Sequence, residues 1–377
     1  MQEVVLELQR LIDTNGWKDM FTEAVATAHK QNIPRLQNVH TLEDYFEWIN
    51  ALLEWIPSET RAGDEIYSRL CEFYFFLDQE PVKHLQNKIE SHDQSPELTE
   101  LSLWMVDYAN AWGRFLDTPE SLTAESIQSF YDSPGFNMDE YMPAPGGWKT
   151  FNQFFARHVR PGARPIDDLC DDRVIVSAAD STFVGAWPLD EESTITVKGL
   201  RWSILELLEG SPFRDRFQGG LFAHSFLNTT DYHRLHVPVA GTVLESRTIH
   251  GQVYLDVQAV ADETTPGACR IHAIRRFHAE DGTGYQFAQA RGLLVLDSPI
   301  GLVAVLPIGM AQVSSVVMTA EVGANLHKGE GFGYFQFGGS DHIVLFEAAA
   351  AVELSAQPDL HYKQGVEIGR SRKANRR

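Results

Sequence analysis

Cysteine is nearly absent. Cys71, Cys170 and Cys269 are the only three in 377 residues, far apart and in no Cys-x-x-Cys spacing. That count argues against a disulfide framework and a thiolate metal site, and a reducing, cytoplasmic setting is expected. Positive charge is also short: 31 Lys and Arg stand against 52 Asp and Glu, a net charge of −21. A field of that sign works against nucleic acid and against an anionic membrane surface, so neither is expected as a partner. The tail from Lys363 to Arg377 is the local exception, with six basic residues and one acid; such an end reads as solvated chain. Long hydrophobic runs are missing too. The most apolar stretch, Gly292 to Met310, is interrupted by Asp297-Ser298-Pro299 and by Pro307, which makes it two buried strands and no membrane span. The first ten residues are amphipathic and carry no basic-then-apolar signal segment. What is present is ample core material, with 44% hydrophobic residues and 22% charged.

The fold class expected is α+β. Residues 1–140 form a helical N-terminal domain: Val4, Leu8, Leu11 and Ile12 recur at helical spacing, and Thr41-Leu-Glu-Asp44 resembles a capping box. Further helices are expected near 62–78, 98–116 and 121–131. Aromatic stripes such as Phe73 to Phe76 read as packing. Pro134-Gly135 and Pro143-Ala-Pro-Gly-Gly147 mark a linker. Beyond it, over 148–377, the period becomes two. Short strands are expected at 174–178, 193–197, 241–244, 253–257, 293–296 and 303–306, with one helix over 203–209. His327-Lys-Gly-Glu-Gly-Phe-Gly333 and Tyr362-Lys-Gln-Gly-Val-Glu-Ile-Gly369 echo one another, as the turns of a β barrel-sandwich would. The tip Val317-Met-Thr-Ala320 lacks the lysine that a swinging-arm carrier displays.

Near the end, Phe332 to Phe337 and Ile343 to Phe346 read as strands around Gly338-Gly339-Ser340-Asp341-His342. A hairpin turn is the plain reading of that connection. The chemical reading is that two glycines free the backbone for the Ser340 hydroxyl to attack the Gly339 carbonyl. The resulting ester cuts by β-elimination, and the dehydroalanine left behind hydrolyses to a pyruvoyl group. A serine hydroxyl needs a neighbouring base for this. Asp231-Tyr-His-Arg-Leu-His-Val-Pro238 offers two histidines three apart, the natural bases near neutral pH. No Glu completes a His-Glu-x-x-His pattern, so no metal is assigned. Val176-Ser-Ala-Ala-Asp-Ser181 offers a carboxylate able to orient a histidine, with a cap or turn residue as the plain alternative. Phe151-Asn-Gln-Phe-Phe-Ala-Arg-His-Val-Arg-Pro-Gly-Ala-Arg-Pro-Ile166 alone reads as a basic loop after a short helix.

Together these stretches resemble the phosphatidylserine decarboxylase family over roughly 148–370. The matching elements, in order, are Phe154-Phe155…Arg157…Arg160-Pro-Gly-Ala-Arg-Pro-Ile, Ser177-Ala-Ala-Asp180, Asp231-Tyr-His-Arg-Leu-His-x-Pro, and Gly329-Glu-Gly-Phe…Phe337-Gly-Gly-Ser340. The resemblance implies cleavage between Gly339 and Ser340, chains 1–339 and 340–377 held together as a heterodimer, and a pyruvoyl cofactor made from Ser340. It implies a self-processing triad of Asp180, His236 and Ser340. His233 would then handle the substrate's carboxylate and proton. Tyr232 and His342 are candidates for substrate contact. The family's Gly-Ser-Thr is Gly339-Ser340-Asp341 here, and the Asp-Gly of the first motif is Asp180-Ser181. A negative Asp341 beside Ser340 is expected to raise the pKa of a neighbouring base.

The helical extension resembles the soluble L-tryptophan decarboxylase subgroup of psilocybin biosynthesis. That resemblance, the low positive charge and the lack of an apolar membrane segment make a free aromatic amino acid the expected substrate. Phosphatidylserine is the alternative, and an uncleaved relative serving as a binding module is the third reading.

Overall fold

The structure is a computed structural model that describes residues 1–377 except 90–96, 191, 193, 198–199, 263–264, 274–286, 310–315, 338–339 and 374–377. Among the described residues, six α-helices occupy the first third of the chain: α1 Glu3–Asn15, α2 Lys18–Lys30, α3 Leu42–Leu52, α4 Glu65–Leu77, α5 Glu100–Leu116 and α6 Ala124–Tyr131. Their ends follow local chemistry. The Thr41 side chain accepts from the Asp44 N–H while Asp44 accepts from the Thr41 N–H, the reciprocal cap the sequence suggests. Thr123 and Ser126 form the same reciprocal cap on α6, and the Thr99 side chain accepts from the Ser102 N–H at the start of α5. α1 buries Val5, Leu8 and Ile12 at helical spacing and stops at Gly16 in the left-handed conformation. The stripe Phe73 to Phe76 is wholly buried, with Phe73 stacked on Tyr108 of α5 at 4.6 Å.

After α6 the chain is mainly β. An eight-stranded antiparallel sheet runs in the order Asn325–Leu326, Gly241–Ile249, Arg291–Ser298, Gly301–Gly309, Ser340–Phe346, Leu221–Leu227, Ser181–Pro188 and His361–Tyr362. Two three-stranded sheets flank it, Val316–Met318 / Gly331–Phe335 / Arg234–His236 and Val352–Leu354 / Glu367–Ser371 / Val174–Val176. Ser340–Phe346 lies inside the large sheet and all seven of its residues are buried. Its alternate side chains enter different cores: Val344 and Phe346 join the core shared with the helices, Ile343 and Leu345 a second one.

Helices and sheet meet at the approach to Ser340. Phe337 packs against Trp112 of α5 at 5.3 Å, and against Phe151 and Phe155 of the short helix α7, Phe151–Phe155, at 5.5 and 6.0 Å. Its N–H donates to Asn152 Oδ1 at 3.3 Å. The helical layer therefore buttresses Phe337, three residues before the serine.

Three expectations need correction. The stretch Ser340-Asp341-His342 is no hairpin turn: it opens the strand Ser340–Phe346, and Gly331–Phe335 pairs in a different sheet. Alternation of side chains over Ser340 to Phe346, with two fully covered faces, had concealed a continuous strand. The strand expected at 253–257 begins at Val257. Val253, Tyr254 and Leu255 are buried ahead of it in irregular chain, where Gln289 Nε2 donates to the Tyr254 carbonyl. The presumed linker is partly built in, because Tyr141–Met142 pairs with His158–Val159. The echoed glycine turns have a physical cause: Gly329 and Gly365 have φ of +78° and +91°, and a Cβ on either would meet Ile166 at 2.4 or 2.8 Å.

Truncating Trp112 should loosen this junction. Trp112→Ala is expected to cost about 3–5 kcal/mol of stability, read from the urea midpoint. A loss under about 1 kcal/mol would contradict a core shared between helices and sheet.

Candidate active site

Ser340 is completely buried at the head of its strand, paired in register with Gly309 on one side and Leu227 on the other. Its Oγ lies 3.5 Å from Nδ1 of His233. His233 Nε2 lies 2.9 Å from the Asn228 carbonyl, which can only accept, so Nε2 carries the proton and Nδ1 presents its lone pair to Ser340. The ring is held by Phe155 at 4.1 Å and by the edge of Phe335 at 6.2 Å, while the His233 carbonyl accepts from the Phe335 N–H. Burial, reinforced by the Arg157 charge, lowers its pKa to about 3, which keeps the imidazole neutral at physiological pH. A neutral, oriented imidazole beside a serine hydroxyl is the arrangement that nucleophilic attack requires.

His236 sits three residues on, in the strand Arg234–His236. Its Nδ1 lies 2.8 Å from the Gly329 carbonyl and its Nε2 3.2 Å from the Tyr232 hydroxyl. Since Gly329 O only accepts, Nδ1 carries the proton and Nε2 accepts from Tyr232. Burial lowers its pKa to about 4.

Asp180 is buried as well, but its partners are the Arg164 guanidinium, with Nε at 2.8 Å, and the Gln364 N–H at 2.8 Å. Arg164 also lies over the Tyr232 ring at 5.8 Å. The expected residues thus fall into two adjoining groups: Ser340 with His233, and Asp180 with Arg164, Tyr232 and His236. Among the described residues, the imidazole nitrogen next to Ser340 belongs to His233, where the sequence had placed His236. Gly339 lies outside the described residues.

Asp341 corrects another expectation. Strand alternation turns it to the face opposite Ser340, where its Oδ1 meets His224 Nε2 at 2.8 Å, both side chains buried. It therefore faces away from Ser340, and the base facing Ser340 has a pKa lowered by burial and by the Arg157 charge. His342 returns to the Ser340 face, 2% exposed, and burial lowers its pKa to about 3.

Sequence reasoning missed four contributors. Phe155 and Arg164 lay within the quoted 151–166 stretch as an unassigned helix and basic loop. The Asn228 carbonyl has no side-chain signature, and His224 is one histidine in an apolar strand. A cleft of about 470 Å3 opens beside the site, lined among others by Met142, Trp148, Asn152, Arg157, Arg234 and Tyr334. Arg234 and His233 are neighbours in sequence, and the Arg234 guanidinium lies 5.0 Å over the Tyr334 ring.

Comparison with known proteins agrees with this architecture. The family model described as phosphatidylserine decarboxylase matches residues 151–371. Phosphatidylserine decarboxylase proenzyme 2 of Oryza sativa subsp. japonica is 33% identical over 240 residues, 63% of this chain and 36% of the rice protein. Proenzyme 3 of Schizosaccharomyces pombe is 34% identical over 236 residues, 62% of this chain and 22% of its own length. The chain therefore spans only about a third and a fifth of these two relatives. The proenzyme of Fusobacterium nucleatum is 31% identical over 239 residues, 63% of this chain and 72% of the bacterial protein.

Three neutral histidines, His233 and His342 buried and His236 half-buried, link stability to pH. The folded pKa values of His233, His236 and His342, about 3, 4 and 3, lie below the ordinary value near 6.5. The unfolded chain then binds the extra protons, so their contribution is complete above about pH 6.5 and is lost as pH falls towards 4. In His342→Phe, the fall of unfolding free energy between pH 6 and 5 should be shallower by about 1.4 kcal/mol per pH unit, measured by urea titration at each pH. An unchanged slope would contradict a neutral His342.

The buried serine and its fixed imidazole, the ordered motifs around them and the matched relatives lead to one assignment: the chain belongs to the phosphatidylserine decarboxylase family.

Proposed function

We propose that the chain is a proenzyme that cuts itself between Gly339 and Ser340 and then decarboxylates an α-amino acid moiety. The observation that carries this reading is the Ser340 hydroxyl facing the deprotonated nitrogen of His233. In the first step Nδ1 takes the hydroxyl proton as Oγ bonds to the Gly339 carbonyl carbon, and it returns that proton to the Ser340 nitrogen as the C–N bond breaks, leaving an ester and a free amine. Removal of the Ser340 α-proton expels the ester oxygen, freeing the 1–339 carboxylate. Water then replaces the residue-340 nitrogen, which leaves as ammonia.

The position fits a pyruvoyl group, because residue 340 is the buried end of a strand paired on both sides and remains held after a cut in front of it. Such a group supplies a ketone that takes up the substrate amine and a sink for the electron pair released with CO2. His233, freed of its first task, is then the nearest imidazole to return a proton to the substrate carbon. His236 and Asp180 hold the neighbouring wall through Tyr232 and Arg164. This shares the roles differently from the sequence-based triad. It yields a direct test: His233→Ala should slow cleavage by about 100-fold or more, whereas His236→Ala should cut more readily. The reverse order, read from gel bands over time, would restore His236 as the base.

For the substrate, the relatives' names support phosphatidylserine. The cleft with Arg157 and Arg234 and an apolar rim at Met142 and Trp148 suits a phosphate on an apolar body. A free aromatic L-amino acid is the second reading. It is favoured by the net charge of −21, which opposes an anionic bilayer, and by the fact that no helix among the described residues is long and apolar enough to cross a membrane. Phosphatidylserine in mixed micelles and free L-tryptophan should be assayed side by side for CO2 release, with Ser340→Ala as control. Release from either substrate that disappears in Ser340→Ala is expected. Equal release by Ser340→Ala would remove the mechanism.

A further inference from the structure

The strand that begins with the reacting serine carries a second polar side chain on the same face. Alternation places Ser340, His342, Val344 and Phe346 together, and the last two belong to the core shared with the helices. His342 is 2% exposed, and its Nδ1 is fully enclosed with no hydrogen-bond partner. Its register neighbours are Pro307, which has no N–H, and Ser225. Asp341 and His224 lie on the opposite face, where Asp341 Oδ1 meets His224 Nε2 at 2.8 Å.

An enclosed polar nitrogen without a partner costs about 1–3 kcal/mol. An apolar side chain at 342 would pack as Val344 and Phe346 do and avoid that cost. The position is two residues along the strand from the reacting one, roughly 7 Å, within the span of a substrate attached at residue 340. A neutral imidazole can donate from one nitrogen and accept at the other.

We propose that His342 is a specificity-determining residue that hydrogen-bonds a polar group on the substrate's side chain. The inference rests on the decarboxylase reading above. The shared chemistry is a hydrogen-bonding atom beyond the β-carbon, which an indole N–H and a phosphate ester oxygen both provide. A site with an enclosed polar group discriminates against analogues that leave it unpaired.

The test uses the full-length, self-cleaved protein as wild type, His342→Val and His342→Gln. Cleavage is checked first by gel, and kcat/KM is then measured on L-tryptophan, L-phenylalanine and phosphatidylserine in mixed micelles. All three proteins are expected to be cut. On whichever of L-tryptophan and phosphatidylserine the wild type turns over, His342→Val should lose about ten- to a hundredfold in kcat/KM. His342→Gln should recover part of that loss, and L-phenylalanine, slow with the wild type, should be little affected. A loss on L-tryptophan alone identifies a free amino acid as the source of the polar group, and a loss on phosphatidylserine alone identifies the lipid. If His342→Val stays uncut, His342→Phe takes its place. Unchanged kcat/KM in a cleaved apolar variant overturns the proposal, as does an equal loss on L-phenylalanine, which would mark a purely structural role. A cut wild type that decarboxylates none of the three overturns the functional reading itself, and the proposal with it.

Discussion

The structure depends on one contact, the Ser340 hydroxyl against the unprotonated nitrogen of His233. Everything nearby serves to fix its two ends. The serine is immobilised because its strand is paired on both edges and covered on both faces. The imidazole is immobilised by the Asn228 carbonyl and the Phe155 ring. Burial then removes the competing protonated state. A weak nucleophile and a weak base are thus brought to a fixed orientation, where proximity replaces intrinsic reactivity.

The helices contribute to the same end. Trp112 and the short helix α7 close on Phe337, three residues before the serine. Asn152 receives the Phe337 N–H from that helix and also lines the neighbouring arginine-bearing cleft. Phe337 is therefore gripped by the helical layer three residues before Ser340. A change in the helical layer would reach Ser340 through packing, without touching its chemistry.

Much of this was legible in the sequence. The helical first third, the capping residues at Thr41 and Asp44, and the interrupted apolar run that became two adjacent strands follow from local spacing, while the ordered motifs were legible through their resemblance to a known family. The strand opening at Ser340 was not legible, because Gly-Gly-Ser-Asp is turn chemistry and only long-range pairing with Gly309 and Leu227 overrides it. The face of Asp341 was hidden for the same reason, since side-chain alternation has meaning only once the strand is known. Nor does a sequence reveal which of two histidines three apart turns towards a serine more than a hundred residues away. That choice is made by backbone carbonyls, Asn228 for His233 and Gly329 for His236, whose identity no side chain announces.

The central claim is that this geometry cuts the chain. The most direct measurement is the intact mass of purified protein under denaturing conditions. The account predicts two chains, residues 1–339 with an ordinary carboxylate and residues 340–377 beginning with a pyruvoyl group in place of serine. A single uncut chain recovered from protein that releases CO2 from its substrate would contradict it.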